Sequence, residues 1–319
     1  MPRGIAVAGT ALADRILTIP AYPSAGELTV IRSLQTAVGG CVPNVAVDLR
    51  ILDPTLPVFA AARIGKDENG ALIERTLSAH GVHTGNLRKS EAPTDFTEVM
   101  SVPGGQRTFF TYSGAGGEFS TDDLDFDTLP VSQLHLGYFL LLPRVDAGEG
   151  EKILAAAKAR GIRTSIDLVS EHSDRYRSVV LPVLPLVDDL IINETEAGAL
   201  TGLPPEPARM REAAEALRAA GAGRVIIHFK TGAVCLSNEG FCTCPAIDIP
   251  RERILGTTGA GDAFCAGALL AIERGARDPE ILEIASIAAL GALLSPDATG
   301  GMKPLSVLRK MAGKDKKGN

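Results

Sequence analysis

The sequence predicts an α/β protein: a mostly parallel sheet with helices on both faces and a small β-sheet lid standing off it. Three observations carry this. Short apolar runs alternate with amphipathic helical patterns from Gly4 onward, the order expected of βαβ units. The apolar runs are nearly continuous, which suits strands buried on both faces. Two segments, Glu27 to Val38 and Thr94 to Tyr112, break the rhythm with β-branched and aromatic residues and no intervening helix.

Taken in order, Gly4 to Gly9 opens as an apolar strand. Pro43 to Leu52 reads as a helix, Val58 to Ile64 as a strand, and Asn69 to Ala79 as a helix stopped by Gly81. Thr97 to Val102 faces Arg107 to Tyr112 across Pro103-Gly104-Gly105, a hairpin that with 27–38 forms the lid. Gln133 to Leu142 is a strand, Gly148 to Arg160 a helix ended by Gly161, and Ile162 to Leu168 a strand again. Asp189 to Ile192 and Val225 to Phe229 add two more, and Cys242 and Cys244 alternate along another. No repeat and no break in composition marks a linker, so 1–319 is expected to be one domain, with 310–319 a basic, disordered tail that includes Lys310, Lys314, Lys316 and Lys317.

Composition narrows the function classes. The 319 residues are 45% hydrophobic and 22% charged, ordinary for a globular protein. A formal net charge of -6 offers no concentrated basic surface, so no nucleic-acid partner is expected. The longest helical apolar stretch, Ile284 to Leu294, falls well short of the ~20 residues that span a bilayer, so no membrane association is expected. Five scattered cysteines show no C-x-x-C pair and no His at zinc-finger spacing. With no charged leader and apolar core before Gly4, a cytoplasmic location is expected.

The chemistry concentrates in Gly256-Thr257-Thr258-Gly259-Ala260-Gly261-Asp262, which leads into the helical pattern Ala263 to Glu273. Small residues let a ligand approach the backbone. Amides of a helix's first turn lack internal partners and lie at the positive end of the dipole, so they suit a phosphate or a developing anion. A carboxylate beside them can take the proton of an attacking hydroxyl, the role open to Asp262. By itself the segment is equally compatible with Asp262 as a plain helix cap. No G-x-x-x-x-G-K-[ST] loop is present, and Gly9-Thr10-Ala11-Leu12 lacks a dinucleotide fingerprint.

The Gly-Ala-Gly-Asp segment resembles the C-terminal signature of the ribokinase-like, or phosphofructokinase B, carbohydrate kinases. Other positions agree in order. Gly39-Gly40-Cys41-Val42-Pro43-Asn44 is similar to the family's Gly-Gly-x-x-x-Asn, and Asp14 follows the first strand where the family places a carboxylate against substrate hydroxyls. Gly65-Lys66-Asp67-Glu68-Asn69-Gly70 matches its Gly-x-Asp-x-x-Gly turn, and Asn193-Glu194-Thr195-Glu196 its Asn-x-x-Glu. Lys230-Thr231-Gly232 stands near its nucleotide loop.

The resemblance, from Gly4 to about Gly301, implies a doubly wound sheet, a β lid over the substrate and ATP as phosphoryl donor. It implies Asp262 as general base, with Gly259, Ala260 and Gly261 forming the anion hole. Asp14, Gly39, Gly40 and Asn44 are implied to bind a sugar acceptor through its hydroxymethyl group, or alternatively a nucleoside. Asn193, Lys230, Gly232, Thr258, Gly259 and Gly261 would bind the nucleotide, and Asn193 and Glu196 would order the water shell of Mg²⁺. A homodimer clasped through the lids is implied as well.

Departures are specific. Cys41 and Leu141 stand where the family's ribose enzymes have a lysine and a glutamate, and with Tyr138 and Phe139 beside it Leu141 makes that wall apolar. Asp167-Leu168-Val169-Ser170 replaces Asp-Pro-Asn, and Gly114-Ala115-Gly116 replaces Gly-Ala-Asn. Gly256 replaces the Asp that helps the family hold a monovalent cation, so the resemblance does not extend to that ion. Histidines 80, 83, 135, 172 and 228 match no motif and read as structural.

Overall fold

The computed structural model describes residues 4–103, 107–171 and 174–314. Its first half runs β1 (Gly4–Gly9), β2 (Leu12–Thr18), β3 (Ser33–Gly39), α1 (Cys41–Leu52), β4 (Val58–Gly65), α2 (Glu68–Ala79), β5 (His83–Ser90), β6 (Phe96–Ser101), β7 (Arg107–Tyr112), β8 (Val131–Phe139), α3 (Gly150–Ala159) and β9 (Arg163–Leu168). There follow α4 (Tyr176–Val180), β10 (Asp189–Asn193), α5 (Glu194–Thr201), α6 (Met210–Ala219), β11 (Arg224–Phe229), β12 (Gly232–Ser237), β13 (Gly240–Pro245), α7 (Ala260–Glu273), α8 (Asp278–Leu293) and α9 (Leu305–Met311).

Nine strands form one sheet in the order β13-β12-β11-β10-β9-β8-β1-β4-β5. The seven strands from β11 to β5 pair in parallel, and β12 and β13 add an antiparallel edge. Alternation along each strand divides the core in two. Ile5 and Val7 of β1 pack into one buried cluster with α1, α7 and α8, while Ala6 and Ala8 pack into the other with α3 and α6. Both faces are therefore covered, which explains the unbroken apolar runs. The chain winds outward from β1 through β4 to β5, then returns to β8 on the other side of β1 and winds the opposite way. Ligands of such sheets bind beyond the carboxyl ends of the strands where the winding reverses, here between β1 and β8.

The lid is a separate sheet in the order β3-β2-β6-β7, with β2 and β6 parallel and the outer pairs antiparallel. It differs from expectation in two ways. Strand β2, which carries Asp14, was not anticipated, and of the segment 27–38 the strand begins only at Ser33. Gly104 and Gly105 of the expected turn lie outside the described residues, as do His172, Lys316 and Lys317. Of the tail expected from 310, Lys310 and Met311 belong to α9.

Other boundaries moved for local reasons. Strand β8 stops at Phe139, short of Leu142, because Tyr138 and Leu140 take φ of 60° and 79°. Helix α3 starts at Gly150 because Gly148, with φ 116°, breaks the helical path before it. The Gly-x-Asp-x-x-Gly match has a direct physical basis: Asp67 caps α2 by accepting from Gly70 N at 2.8 Å and also accepts from Thr94 N at 2.8 Å, tying the loop before the lid to the main sheet.

Candidate active site

Asp262 lies in the first turn of α7. The preceding Gly259 has φ 77°, and a Cβ there would sit 2.7 Å from Ala298, so the turn requires glycine. The first helical hydrogen bond runs from Ala263 N to Gly259 O at 2.8 Å. Of the expected cradle, the Ala260 amide closes a turn on Thr257 O at 3.3 Å, whereas Gly261 and Asp262 occupy positions whose amides have no intrahelical acceptor.

The Asp262 carboxylate does not cap α7, which has no side-chain cap. It is 6% exposed and turned to the sheet instead. Asn44 Nδ2 donates to Oδ2 at 2.8 Å, and the Tyr138 hydroxyl lies 3.1 Å from each oxygen, placed to donate. Burial pushes its pKa up to about 7, Asp167 adding to the rise while the Asn44 and Tyr138 hydrogen bonds oppose it. A carboxyl group that is neutral below pH 7 and ionised above it suits proton abstraction near neutrality.

Three elements meet to build this setting. Gly40, with φ 86°, turns the chain into α1, and a Cβ there would lie 2.7 Å from Thr10 O at the end of β1. Val42 N donates to Thr10 O at 2.9 Å, which holds Asn44 in the first turn of α1, opposite the start of α7. At the end of β8, Tyr138 is held in its strained φ of 60° by its amide, which donates to Asp167 Oδ1 at 2.6 Å. The wall beside Leu141, expected to be apolar, is therefore polar at Tyr138, whose hydroxyl points at Asp262.

From the lid, Asp14 reaches the same region. Burial lifts its pKa to about 6, with Arg107 drawing it the other way. A Cβ at Gly39 would collide with the Asp14 carboxylate, so the paired glycine gives that side chain its space. Arg107, the first residue of β7, donates to Thr258 Oγ1 at 2.6 Å and so joins the lid to the loop before α7.

Asn193 and Glu196 form a capping box at the start of α5. Asn193 Oδ1 accepts from Glu196 N at 2.9 Å, and Glu196 Oε2 accepts from Asn193 N at 3.0 Å. The remaining Glu196 oxygen accepts from Ser170 Oγ at 2.9 Å. Glu196 is only 4% exposed, and burial raises its pKa to about 7.

A cavity of about 220 Å³ brings Asp262, Asn193 and Glu196 together, along with Tyr138, Asp167 and His228. Gly259, Ala260 and Gly261 also line it. Asn44 meets it through Asp262, and Thr258 through the adjoining loop. Lys230 and Gly232 lie at the turn from β11 to β12, off the cavity wall, and a Cβ at Gly232 would strike Cys244 O.

Sequence reasoning did not assign roles to Tyr138, Asp167, Arg107 or His228. Asp167 left a signal, a charged residue near the carboxyl end of an apolar strand of a parallel sheet. His228, read as structural, packs in a tilted arrangement against Phe264 with ring centroids 4.9 Å apart, beside Gly261, and burial lowers its pKa to about 4, keeping it neutral. Tyr138 left none, because its orientation depends on a backbone conformation imposed by Asp167.

Residues 3–303 match the sequence profile of the pfkB family carbohydrate kinases. Ribokinase of Arabidopsis thaliana is 27% identical over 290 residues, which cover 89% of this chain and 74% of that protein. A structure of Arabidopsis thaliana ribokinase complexed with ribose and ATP superposes with a TM-score of 0.84 at 26% identity, covering 98% of this chain and 99% of the other. A nucleoside kinase from Methanocaldococcus jannaschii, at 18% identity, shares the fold with a TM-score of 0.79 over 98% of this chain and 99% of its own.

Proposed function

This chain belongs to the pfkB family of carbohydrate kinases, enzymes that transfer a phosphoryl group to a hydroxyl, and we propose that it transfers the γ-phosphoryl of ATP to a hydroxymethyl group of a sugar. The observation that carries the assignment of roles is the Asp262 carboxylate. It is buried at the mouth of a helix N-terminus, bonded to Asn44 and Tyr138 rather than to its own helix.

Asp262 takes the proton of the acceptor hydroxyl as it attacks. Asn44 and Tyr138 keep the carboxylate aimed away from the α7 backbone. Asn44 Oδ1 and Thr10 Oγ1 are buried without a partner, and both would be satisfied by hydroxyls of a bound acceptor. The unshared amides at the start of α7 and the Arg107 guanidinium supply positive potential for the charge that develops on the transferred group. The donor is read as ATP because the Arabidopsis ribokinase structure holds it.

The residues present fit Mg²⁺ through water. Both Glu196 oxygens already accept protein hydrogen bonds, so Asn193 and Glu196 would hold the ion's water shell rather than the ion. The bound ion would neutralise phosphate charge. Gly256 leaves a monovalent cation without its usual carboxylate, but a Cβ there would lie 2.6 Å from Ser295 O, and Leu255 N donates to Leu293 O at 2.9 Å. Packing thus steadies this loop. The exposed apolar face of the lid is where we place a second copy in a homodimer.

A nucleoside acceptor is the second reading, favoured by Cys41 and Leu141 in place of charged residues. ADP release measured by a coupled assay over pentoses, hexoses, ketoses, keto-deoxy acids and nucleosides separates the two. A sugar should give the highest kcat/KM. A panel in which no acceptor raises ADP release above the ATPase background would overturn the assignment.

A further inference from the structure

Beneath Asp262, three side chains from three elements converge. Cys41 opens α1, His135 lies within β8 and Asp167 is the penultimate residue of β9; all three are buried. Their ligating atoms lie within 4.8 Å of one another. His135 Nε2 is 3.4 Å from Asp167 Oδ2, and Cys41 Sγ is 3.9 Å from the same oxygen. Tetrahedral bonds to zinc of about 2.0–2.1 Å for nitrogen or oxygen and about 2.3 Å for sulfur place ligand atoms about 3.3–3.6 Å apart, so the two separations from Asp167 Oδ2 are within a few tenths of an ångström of that spacing.

The imidazole is set up for this. Ser165 Oγ lies 3.4 Å from Leu134 O and 3.0 Å from His135 Nδ1; in the tautomer in which the hydroxyl donates to Leu134 O, its oxygen accepts the Nδ1 proton. Nε2 is left with its lone pair, facing a buried carboxylate. Two acceptors 3.4 Å apart out of water repel unless a cation or a proton lies between them. A second-shell bond that fixes one nitrogen and frees the other is also how histidines are oriented toward metals. Space is made by Gly137, where a Cβ would collide with Cys41 Sγ. Asp167 lines the cavity that opens to Asp262, which provides an entry path.

We propose that Cys41, His135 and Asp167 form a binding site for a borderline-soft divalent ion of the zinc type, with one coordination position open. One thiolate, one imidazole and one carboxylate select such an ion over Mg²⁺, which prefers an all-oxygen shell. Cys265 Sγ, 3.5 Å from His135 Nε2, flanks the triad but falls outside the mutually close set.

Co²⁺ is the probe, added to the metal-free full-length protein without nucleotide or Mg²⁺. The expected result is one Co²⁺ per chain, with visible bands of tetrahedral intensity and a near-ultraviolet thiolate-to-cobalt charge-transfer band. Cys41→Ser should abolish the charge-transfer band, and His135→Gln should weaken binding by at least about tenfold, the scale even of outer-shell losses. Cys242→Ser and Cys244→Ser should leave both readouts unchanged, and circular dichroism identifies any variant that fails to fold. If wild-type protein binds no Co²⁺, or if the charge-transfer band survives Cys41→Ser, the proposal is wrong. The first outcome would leave His135 and Asp167 as a buried pair without a metal.

Discussion

The main sheet and the lid are both β-structure, yet they are held by different forces. Strand β1 is buried at all six positions, its side chains divided between two apolar clusters. Strand β7 is exposed at five of six, and β3 at its first four. The lid is stabilised by its ladders more than by burial, and Leu34, Phe109 and Phe110 are exposed on it. What the lid offers the site is charge, Asp14 and Arg107, at the edge nearest the cradle. The body offers a buried base, and the lid an electrostatic complement.

Removing the proposed base, Asp262, should have the largest effect. Asp262→Asn is expected to lower kcat at least ~10²-fold with little change in ATP affinity, because the amide keeps the shape but cannot take a proton. Wild-type kcat should rise with pH to a plateau above about 7, the value to which burial lifts Asp262. The same residue predicts a stability trend. With its native pKa above the unfolded one, its contribution is full below about 3.8 and is lost as pH rises through about 7. Wild type should therefore lose thermal stability from pH 5 to pH 8 relative to Asp262→Asn. Parallel pH profiles of kcat, or of Tm, in the two proteins would remove Asp262 from the base role.

The lid's charge comes next. Arg107→Ala should lower kcat/KM about tenfold or more, as expected for a lost hydrogen bond to a charged partner, while leaving Tm nearly unchanged because β7 is already exposed. Equal damage to Tm and to rate would mean that Arg107 only fastens the lid.

The lid's outer face is tested by Leu34→Lys with Phe110→Lys, which the register places together on the face opposite Asp14. Sedimentation should show the wild type as a dimer and the double variant shifted toward monomer, since charge on an apolar contact opposes association. A monomeric wild type would place the apolar face in some other use.

Smaller effects probe the ions. Glu196→Gln should raise the Mg²⁺ concentration for half-maximal rate by roughly three- to tenfold, about 0.7–1.4 kcal/mol, and excess Mg²⁺ should restore the rate. An unchanged titration would leave Glu196 as a helix cap alone. Replacing K⁺ by Na⁺ or a bulky organic cation at equal ionic strength should change the rate less than about threefold, under ~0.7 kcal/mol. Saturable K⁺ activation would show that a ligand other than residue 256 holds the ion.

Much of the body was legible because its signals are local. The apolar runs of β1, β4, β9, β10 and β11 and the glycine turns at 40 and 259 each declare themselves within a few residues. The lid was legible only as a hairpin plus an irregular partner, since β2 and β3 pair across fourteen intervening residues with no turn signature. Asp262 could be located from its neighbours, but not distinguished from a helix cap.

The alternating pattern, the small residues before α7 and the order of the motifs follow from the sequence alone, because helix periodicity, strand burial and backbone room are set by residues near one another. Which groups face Asp262 was decided only by the tertiary structure. Asn44, Tyr138 and Asp167 come from separate elements and meet where the winding of the sheet reverses. The raised pKa of Asp262, the strained Tyr138 and the Cys41–His135–Asp167 triad all arise from enclosing polar groups distant in sequence in one dry space.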